Sequence, residues 1–369
     1  MSPYQQVISP TVAELPRPAL REMVRLMRAL YALGNRPAYR ELVLPQLPEP
    51  ARFDPGHDSV MMGYDFHLTP DGPRLIEVNT NAGGGIIAYQ AQFGSPVGEQ
   101  PGRDRFQHGF LASFGEEFSR YGCREDLLRV AIIDENPPEQ FLYQEMLAFA
   151  ELLKGEGLDA AVADPAELQA DAGGVFLQGQ PVDLVYNRHC DFYLESEALS
   201  GLRAAYLAGS VCLTPNPFVY GLLADKRRMI LWSDEEVLSE LGLPERERKL
   251  LLRTVPESRL LAEVDPEQTW QQRKQLAFKP VTRFGSRGVL LGRKISRKRF
   301  NELPAHETLV QQLVPPSEIL SEDGGEPMKA DFRLFAYRNR LLGVAARLYQ
   351  GQVTNLRTPG GGYAAVRIV

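Results

Sequence analysis

The sequence predicts a mixed fold in which a parallel α/β unit is combined with α+β parts. Strand-like and helix-like segments alternate from residue 129 to 225, runs of strands follow runs of helices in the last third, and an early segment has the pattern of a β-hairpin. With 369 residues, 44% of them hydrophobic and 24% charged, the chain has an ordinary globular composition and enough length for two or three packed units.

The first elements are a helix and a hairpin. Between residues 11 and 43 the apolar side chains of LREMVRLMRALYAL recur at spacings of three and four, which predicts an amphipathic helix with Thr11 as its N-cap. Segments 59–68 and 74–80 predict two strands, because both are apolar and the TPDG between them is a turn sequence.

The later elements change in character. RVAIIDE, DAAVAD, PVDLVYNRH and SVCLTPNP predict strands separated by helical stretches, which is the succession of a parallel sheet. Residues 226–310 predict two helical stretches and then the strand pair QLAFKPV and GVLLGRK around a glycine-bearing loop. ADFRLFAYRNRLLGVAARLYQ predicts two further strands joined by a polar turn.

Composition excludes several classes of protein. The 41 lysines and arginines against 47 acidic residues give a net charge of −6 and an isoelectric point near 5.6, so we expect no nucleic-acid partner. No apolar run approaches the ~18 residues of a membrane span and the opening lacks a leader pattern, so we expect no membrane partner and a cytoplasmic location. Cys123, Cys190 and Cys212 are too few for a disulfide framework and are expected to be reduced.

The hairpin carries candidate metal ligands. Glu77 and Asn79 share one face of their strand because side chains alternate, and strand pairing can bring Asp65 beside them. Hard oxygen donors that leave room for phosphate oxygens suit Mg²⁺ in a nucleotide site. A merely solvated polar face is the alternative, although the TNAGGG that follows allows a ligand to approach backbone N–H groups.

The loop FKPVTRFGSRGVLLG is a candidate lid over phosphates. Lys279 ends an apolar strand, and Gly285, Ser286, Arg287 and Gly288 form a flexible turn before the next strand. It is not a Walker loop, since GxxxxGK[ST] is absent from the sequence. An ordinary basic hairpin turn is the alternative.

Two further segments fit a nucleotide site. Lys226 in ADKRRM follows a turn and precedes a helix. It can be a second lysine directed at phosphate, or it can lie on a solvated helix face. The stretch LVQQLVPPSE runs into Pro-Pro and can present backbone groups to a flat base, with Glu318 placed for ribose hydroxyls. A plain interdomain linker fits this stretch equally well.

Arginines mark candidate anion sites near the C-terminus. Asp331 and Arg333 lie two residues apart on one predicted strand, so they share a face, and Arg347 lies on the next strand. Asn355 and Arg357 precede TPGGGYAAV. Planar guanidinium groups beside a glycine loop bind phosphate or carboxylate bidentately, although exposed arginines on hairpins are common.

One arginine lies in the predicted parallel unit. Arg188 follows a predicted strand, at the edge where α/β sheets bind ligands, and His189 beside it fits a structural or solvated position better than a catalytic one. Neither a GxSxG elbow nor HExxH occurs, and no clear GxGxxG follows a strand, so hydrolase and dehydrogenase functions lose support.

Taken together, these segments resemble the ATP-grasp superfamily. YDFHLTPDGPRLIEVNTN is similar to the metal motif near the end of bacterial glutathione synthetase, but here it lies early, while the lysine strand, the glycine loop, QQLVPPSE and DFRLF lie in the last third. This order is that of a circular permutation, as in eukaryotic glutathione synthetase and the glutathionylspermidine synthetase group. VYNRHCDFYL, ADKR, FKP and LRTPGGGYAAV are similar to segments of the same permuted relatives, and the resemblance covers residues 60–369 in pieces.

The resemblance implies a role for each matching residue. It implies Asp65, Glu77 and Asn79 for Mg²⁺; Lys226, Lys279, Gly285, Ser286, Arg287 and Gly288 for ATP phosphates; Gln311, Gln312, Leu313, Val314 and Glu318 for adenine and ribose; Arg333, Arg347 and Lys279 for the transferred phosphoryl group; and Arg188, Arg357, Asn81, Asn355, Gly361 and Gly362 for substrate. The sequence departs from the eukaryotic pattern at VTRFGS, which lacks a glutamate, at Gln311 in place of an acid, and at Gly63 in place of an arginine.

The resemblance also implies an organisation and a function. The expected parts are N-terminal helices plus the permuted metal-binding part (1–128), a parallel α/β substrate domain (129–225), a subdomain with the glycine-rich lid (226–310), and the hinge with the remaining strands (311–369). The expected function is an ATP-dependent ligase that joins a small carboxylate to an amine or thiol through an acyl-phosphate. A small-molecule kinase and a nucleotide-binding module without catalysis are the alternatives, and a homo-oligomer is left open.

Overall fold

The computed structural model describes residues 4–94, 103–122, 126–281, 288–320, 327–352, 354–356 and 358–369, with residues 5 and 103–106 described by their backbone alone. Five residues singled out from the sequence, Cys123, Gly285, Ser286, Arg287 and Arg357, lie outside these ranges.

The strands are β1 (Ala13–Leu15), β2 (Met62–Thr69), β3 (Gly72–Asn79), β4 (Arg129–Ile133), β5 (Asp159–Ala163), β6 (Leu168–Asp171), β7 (Gly174–Leu177), β8 (Gln180–Pro181), β9 (Leu184–Asn187), β10 (Cys212–Thr214), β11 (Ser258–Leu260), β12 (Leu276–Pro280), β13 (Leu290–Leu291), β14 (Thr308–Gln312), β15 (Ser317–Ile319), β16 (Met328–Tyr337), β17 (Arg340–Tyr349), β18 (Gly362–Ala364) and β19 (Val366–Ile368).

The α-helices are α1 (Arg17–Gly34), α2 (Pro37–Val43), α3 (Glu49–Arg52), α4 (Gly85–Phe93), α5 (Arg103–Tyr121), α6 (Tyr143–Gly155), α7 (Ser200–Ala208), α8 (Pro217–Val219), α9 (Arg228–Trp232), α10 (Glu235–Glu240), α11 (Glu245–Thr254), α12 (Pro266–Gln272) and α13 (Arg297–Asn301), with a π-helical turn at Tyr220–Ala224. No described helix has both the length and the apolar character that crossing a membrane requires.

The first helix begins later than the sequence predicts. Thr11 does not cap it, because β1 intervenes and α1 starts at Arg17 with Pro16 at the N-cap position. Pro16 and Pro18 explain the difference, since proline is accepted in the first turn of a helix but its missing N–H and fixed φ interrupt a helix that runs through it.

An antiparallel sheet, which we call the large sheet, joins distant parts of the chain. Its order is β18-β17-β16-β2-β3, and β15 pairs with the beginning of β16. The predicted hairpin, β2 and β3, and the predicted C-terminal strand pair, β16 and β17, therefore lie side by side in antiparallel order. Helices α1 and α8 to α11 cover one face, while α4 and α5 cover part of the other.

The predicted parallel sheet is present, in the order β10-β9-β4-β5. Its strands read as continuous apolar runs because helices bury both faces, as is typical of parallel sheets. The small antiparallel sheet β6-β7-β8 was not predicted from the sequence; its strands are two to four residues long.

A further antiparallel sheet, which we call the β12 sheet, has the order β11-β14-β12-β13 and packs on α12 and α13. It contains the predicted pair β12 and β13 on either side of the glycine-bearing loop. The domain boundary expected at 310/311 falls inside β14, which pairs with β12 along its whole length.

Candidate functional site

One cleft of about 770 Å³ collects most of the predicted site residues, and its size is typical of a small-ligand site. It is bordered by the large sheet, the β12 sheet and the carboxyl ends of β4 and β9. The predicted residues that line it are Asp65, Glu77, Asn79, Asn81, Arg188, Lys226, Lys279, Gln311, Gln312, Leu313, Val314, Arg333, Arg347 and Asn355.

Four predicted residues with described positions do not line this cleft. Gly288 is exposed at the end of the lid loop, and Glu318 is exposed on β15 opposite Lys329. Gly362 has a φ of +111° and a Cβ there would lie 2.2 Å from the Val7 carbonyl, and Gly361 is similarly crowded by main-chain carbonyls. The two glycines therefore allow close packing of the last strands.

Asp65 is the centre of an ion-pair network. Arg333 Nε and Nη2 lie 2.6 and 2.7 Å from its two carboxylate oxygens, and Arg347 Nη2 lies 2.8 Å from one of them. Arg347 Nε donates to Asp331 at 2.5 Å, and Arg333 Nη1 donates to the Gly83 carbonyl. Two buried carboxylates thus hold the buried guanidinium of Arg333 and that of Arg347, whose side chain is 11% exposed.

The network follows from strand register. Asp65 pairs with Arg333 across β2 and β16, and Asp331 pairs with Arg347 across β16 and β17. Burial raises the pKa of Asp65, but Arg333 and Arg347 outweigh it and lower the pKa to about 2. Asp65 is therefore ionised and engaged by arginines in this structure, and its predicted role as a metal ligand finds no support in the geometry.

The glycine at position 63, where the resemblance predicts an arginine, has a packing reason. A Cβ at this position would lie 2.9 Å from the Ala82 side chain and 3.2 Å from Arg333 Nε. The missing side chain leaves room for the Arg333 guanidinium to reach the carboxylate on β2.

Glu77 and Asn79 provide the oxygen donors that remain. Asn79 Nδ2 lies 3.3 Å from Asp65 Oδ2 and 3.4 Å from Glu77 Oε1, so the amide oxygen is directed away from both carboxylates. Among the described residues, no group of three or more His, Cys, Asp and Glu side chains could hold a metal ion. Rotation of the Asn79 amide would turn its oxygen toward Glu77, and one carboxylate with one amide oxygen suits Mg²⁺, which takes few protein ligands and several water or phosphate oxygens.

Lys279 is buried at the floor of the cleft. Its Nζ is only 3.1 Å from the Ile76 carbonyl, on the strand that carries Glu77. Burial lowers the pKa of Lys279 to about 8, although the charge of Glu77 opposes the shift. Lys279 is therefore charged at neutral pH and loses its charge just above it, beside Glu77 and Asn79 of β3.

A buried aspartate fixes the segment that carries Lys226. Asp225 is 2% exposed and accepts hydrogen bonds from the Tyr193 hydroxyl at 2.7 Å and from Arg227 Nη2 at 2.6 Å. The π-helical turn Tyr220–Ala224 leads directly into this aspartate. Tyr193 belongs to the loop that follows Arg188, so Asp225 ties the substrate side of the cleft to Lys226.

The predicted base-binding segment 311–314 lies at the end of β14. Gln311 is buried and its side-chain amide donates to the Ser258 hydroxyl at 3.0 Å. A base would have to use main-chain groups of this segment that are not already bonded within the protein. The bonded groups include those that pair Gln311 and Gln312 with neighbouring strands, the Gln312 N–H to the Glu257 carbonyl, the Leu313 N–H to the Gln275 carbonyl, and the Val314 carbonyl to His67 Nδ1.

Arg188 and Asp134 form a second charged group in the cleft. They follow β9 and β4, which are neighbours in the parallel sheet, and ligands bind at such strand ends. Arg188 is 5% exposed, contacts the Tyr186 hydroxyl at 3.2 Å, and its carbonyl accepts from Asn81. Burial raises the pKa of Asp134 to about 6, against the charge of Arg188.

The glycine run after β3 is closed to ligands at one of its N–H groups. Glu145 is fully buried and accepts from Gly84 N–H at 2.8 Å and from the N–H of Ile86, just after the run, at 2.9 Å. The Tyr363 hydroxyl donates to the Gly83 carbonyl at 2.9 Å, so the C-terminal segment also holds the loop. The expectation that this run offers free backbone donors is wrong for Gly84.

Sequence reasoning missed four residues that build the site: Asp134, Glu145, Asp225 and Tyr363. Two had a readable signal, because Glu145 interrupts the apolar face of a predicted helix and Asp134 ends a predicted strand of the parallel unit. Asp225 and Tyr363 act through partners far away in the chain.

Comparison with known proteins supports the fold. No family model and no curated protein matches the chain. A glutathione synthetase-like effector from Globodera pallida aligns over 98% of this chain and 90% of its own, with a TM-score of 0.64 and 12% identity. A protein provisionally assigned as a gamma-glutamylcysteine synthetase from Methylobacillus flagellatus aligns over 90% and 84%, with a TM-score of 0.50 and 13% identity.

These two structures confirm the mixed fold predicted from the sequence: the chain shares its α/β architecture with the glutathione synthetase-like effector and with the second structure. The circular permutation stays a prediction, and at 12–13% identity the likeness shows the fold alone.

Proposed function

We propose that the protein is an ATP-dependent ligase that joins a small carboxylate, such as an amino acid or peptide, to an amine or thiol. The observation that carries the proposal is the meeting in one cleft of the acid–amide pair of β3 with lysines and arginines from the last 150 residues. The arginine and carboxylate at the ends of the parallel strands share that cleft. Groups for phosphate and for a zwitterionic substrate are thus brought together.

The nucleotide half is built for negative charge. Lys226 and Lys279 supply point charges for the phosphates of ATP, and Arg333 and Arg347 supply planar donors for the group that is transferred. Arg347 uses Nε and Nη2 on its carboxylate partners, and its Nη1 forms no hydrogen bond with a described residue. That nitrogen remains available to a phosphoryl oxygen.

Glu77 and Asn79 would hold Mg²⁺, which when bound offsets the charge of the phosphates. Asp65 would act beside them as the partner that keeps Arg333 and Arg347 in place. This assignment differs from the role that the family resemblance implies for Asp65.

The substrate half would recognise both ends of an amino acid. Arg188 would bind a carboxylate and Asp134 an ammonium group, since they carry opposite charges at adjacent strand ends. Arg188 is positioned by Tyr186 and by the main chain of Ala82, so little side-chain freedom is lost when a ligand binds.

The proposed reaction needs no nucleophile from the protein. A carboxylate oxygen of the substrate attacks the γ-phosphorus of ATP, the bond to the β-bridging oxygen breaks, and ADP leaves. The amine or thiol then attacks the carbonyl carbon of the acyl-phosphate, loses its proton, and inorganic phosphate departs with the former carboxylate oxygen. The protein contributes position and opposite charge at the transferring group.

The test is to incubate the protein with ATP, Mg²⁺ and a matrix of amino acids and amines, and to measure ADP and product mass together. We expect ADP and phosphate to appear only with a carboxylate and an acceptor, and oxygen-18 from the carboxylate to appear in phosphate. A stable phosphorylated product would identify a kinase instead. No release of ADP with any of the substrates would favour a binding module without catalysis.

Glu77→Gln should reduce turnover at least about 100-fold, because the variant loses the only carboxylate placed for the metal by this proposal. The melting temperature should change little, since Glu77 is half-buried in the open cleft. Glu240→Gln, at an exposed end of α10, is the matched control. Near-normal turnover in Glu77→Gln would count against the proposed site.

A further inference from the structure

The lid subdomain carries a concentration of positive charge, and apart from Lys279 the proposed reaction assigns none of it a role. Residues 273–301 contain ten lysines and arginines and no aspartate or glutamate. Of the 41 basic residues ten lie here, which leaves 31 against 47 acidic residues in the rest of the chain. An acidic protein thus has one strongly basic segment.

Folding brings six of these residues into one surface, which we call the basic ridge: Arg273, Lys274, Arg293, Lys294, Arg297 and Lys298. A Cβ on Gly292 would lie 1.8 Å from the Arg273 carbonyl, so the first and second pairs of the ridge are adjacent. The guanidinium groups of Arg273 and Arg297 lie 3.9 and 5.1 Å from the centre of the Trp270 ring, which joins the third pair to the first.

Most of this charge is not neutralised. Arg297 pairs with Glu267 at 2.7 Å. Lys274, Arg293, Lys294 and Lys298 are exposed, and none forms an ion pair with a described residue. Holding like charges together in this way is unfavourable for folding alone, so the ridge is suited to an external anionic partner.

The ridge is continuous with the cleft. Arg293 belongs to the ridge and also lines the cleft, on the chain between β13 and α13. Lys279, the buried lysine of the nucleotide half, lies on β12 of the same sheet. One end of a polymer bound along the ridge can therefore reach the opening of the cleft.

We propose that the basic ridge is a docking surface for an acidic polypeptide. The rest of the molecule is acidic and would repel a long phosphate backbone, whereas a short acidic segment can be confined to the ridge. Single-stranded nucleic acid also requires aromatic faces for base stacking, and the ring of Trp270 is already covered by arginines. The docked polypeptide is the ligase substrate, a step that rests on the proposed function.

The experiment measures binding of a fluorescently labelled decaglutamate peptide by anisotropy, with decaglutamine and a ten-nucleotide single strand as comparisons. We expect decaglutamate to bind, its affinity to fall as salt is raised, and decaglutamine not to bind. No decaglutamate binding, or tighter binding of the oligonucleotide, would overturn the proposal.

Charge reversal locates the surface. Lys274→Glu with Lys294→Glu and Lys298→Glu should weaken decaglutamate binding at least about tenfold. The triple variant Arg17→Glu, Arg21→Glu, Arg25→Glu on exposed positions of α1 has the same net charge and should weaken it less than about twofold. Equal weakening by both would show a response to net charge alone and defeat the proposal.

Unchanged ADP affinity and melting temperature in the ridge variant would show that its loss of peptide binding is local. The ligase proposal is tested by a different measurement, the consumption of the bound peptide. Peptide bound at the ridge but never consumed with ATP and Mg²⁺ would uphold docking while removing the docked polypeptide as substrate.

Discussion

Lys279 is the residue whose ionisation most directly limits the site. Its burial lowers its pKa to about 8, so the free protein loses this positive charge as the pH rises through 8. Phosphate binding needs the charged form. We therefore expect ADP affinity to be constant below pH 7 and to fall by up to about tenfold per pH unit well above pH 8.

Calorimetric titration of ADP from pH 6.5 to 9.5 checks this prediction. Lys279→Arg is the control, because an arginine stays protonated throughout this range and should keep its affinity at high pH. An identical fall in both proteins would assign the pH dependence to another group.

At the scale of elements, the contact between Tyr193 and Asp225 links two loops of the cleft. Tyr193→Phe removes the 2.7 Å hydrogen bond and should weaken ADP binding about threefold to tenfold, since Lys226 follows Asp225 directly. Tyr206→Phe is the matched control: it loses a hydrogen bond to the Phe53 carbonyl at a distance from Lys226. Equal ADP affinity in the two variants would contradict the linkage.

The glycine loop at the start of α4 offers a second test. Gly84 has a φ of +88°, and a Cβ there would lie 1.8 Å from the Tyr363 hydroxyl. Gly84→Ala should reduce the free energy of unfolding by more than about 2 kcal/mol, from backbone strain and displacement of Tyr363. Gly209 has the same left-handed conformation, with φ +65° and ψ +34°, and open space around it, so Gly209→Ala isolates the strain and should cost about 1 kcal/mol. Urea unfolding compares the two variants.

Local patterns predicted the elements whose signals are local. The hairpin β2–β3 and the parallel strands were predicted because turn residues or helices bound each apolar run. Strand β1 was missed because its three residues are stabilised by pairing with β19, at the other end of the chain. No local pattern encodes such a pairing.

For the site, as for the fold, the local pattern was predicted and the long-range pairing was not. Alternation along a strand correctly placed Glu77 and Asn79 together, near Asp65. It could not show that Asp65 is taken by Arg333, because that pairing joins strands more than 260 residues apart. A carboxylate that looks like a ligand in sequence becomes an ion-pair partner in space.

At the scale of the whole molecule, one buried carboxylate holds three segments together. Glu117 of α5 lies 2.8 Å from His57 Nδ1, accepts the Tyr337 hydroxyl of β16 at 2.8 Å, and accepts the Asp58 N–H. Glu117→Ala should lower the free energy of unfolding by about 3 kcal/mol, since it leaves buried donors without a partner.

Denaturant unfolding of that variant is compared with Glu116→Ala on the same helix. Glu116 forms an exposed ion pair with Arg340, so its loss should cost less than about 1 kcal/mol. Similar losses in the two variants would contradict a special role for the buried carboxylate.

The position of β16 in the large sheet also affects how the protein is made. Strand β2 needs β16 as its neighbour, yet β16 begins roughly 250 residues after β3 ends. At ribosomal rates of about 5–20 residues per second, the newly made hairpin waits on the order of 10–50 s with one edge unpaired. During that interval the edge of β2 is open to pairing with other strands, and the cleft forms only after β16 and β17 have been made.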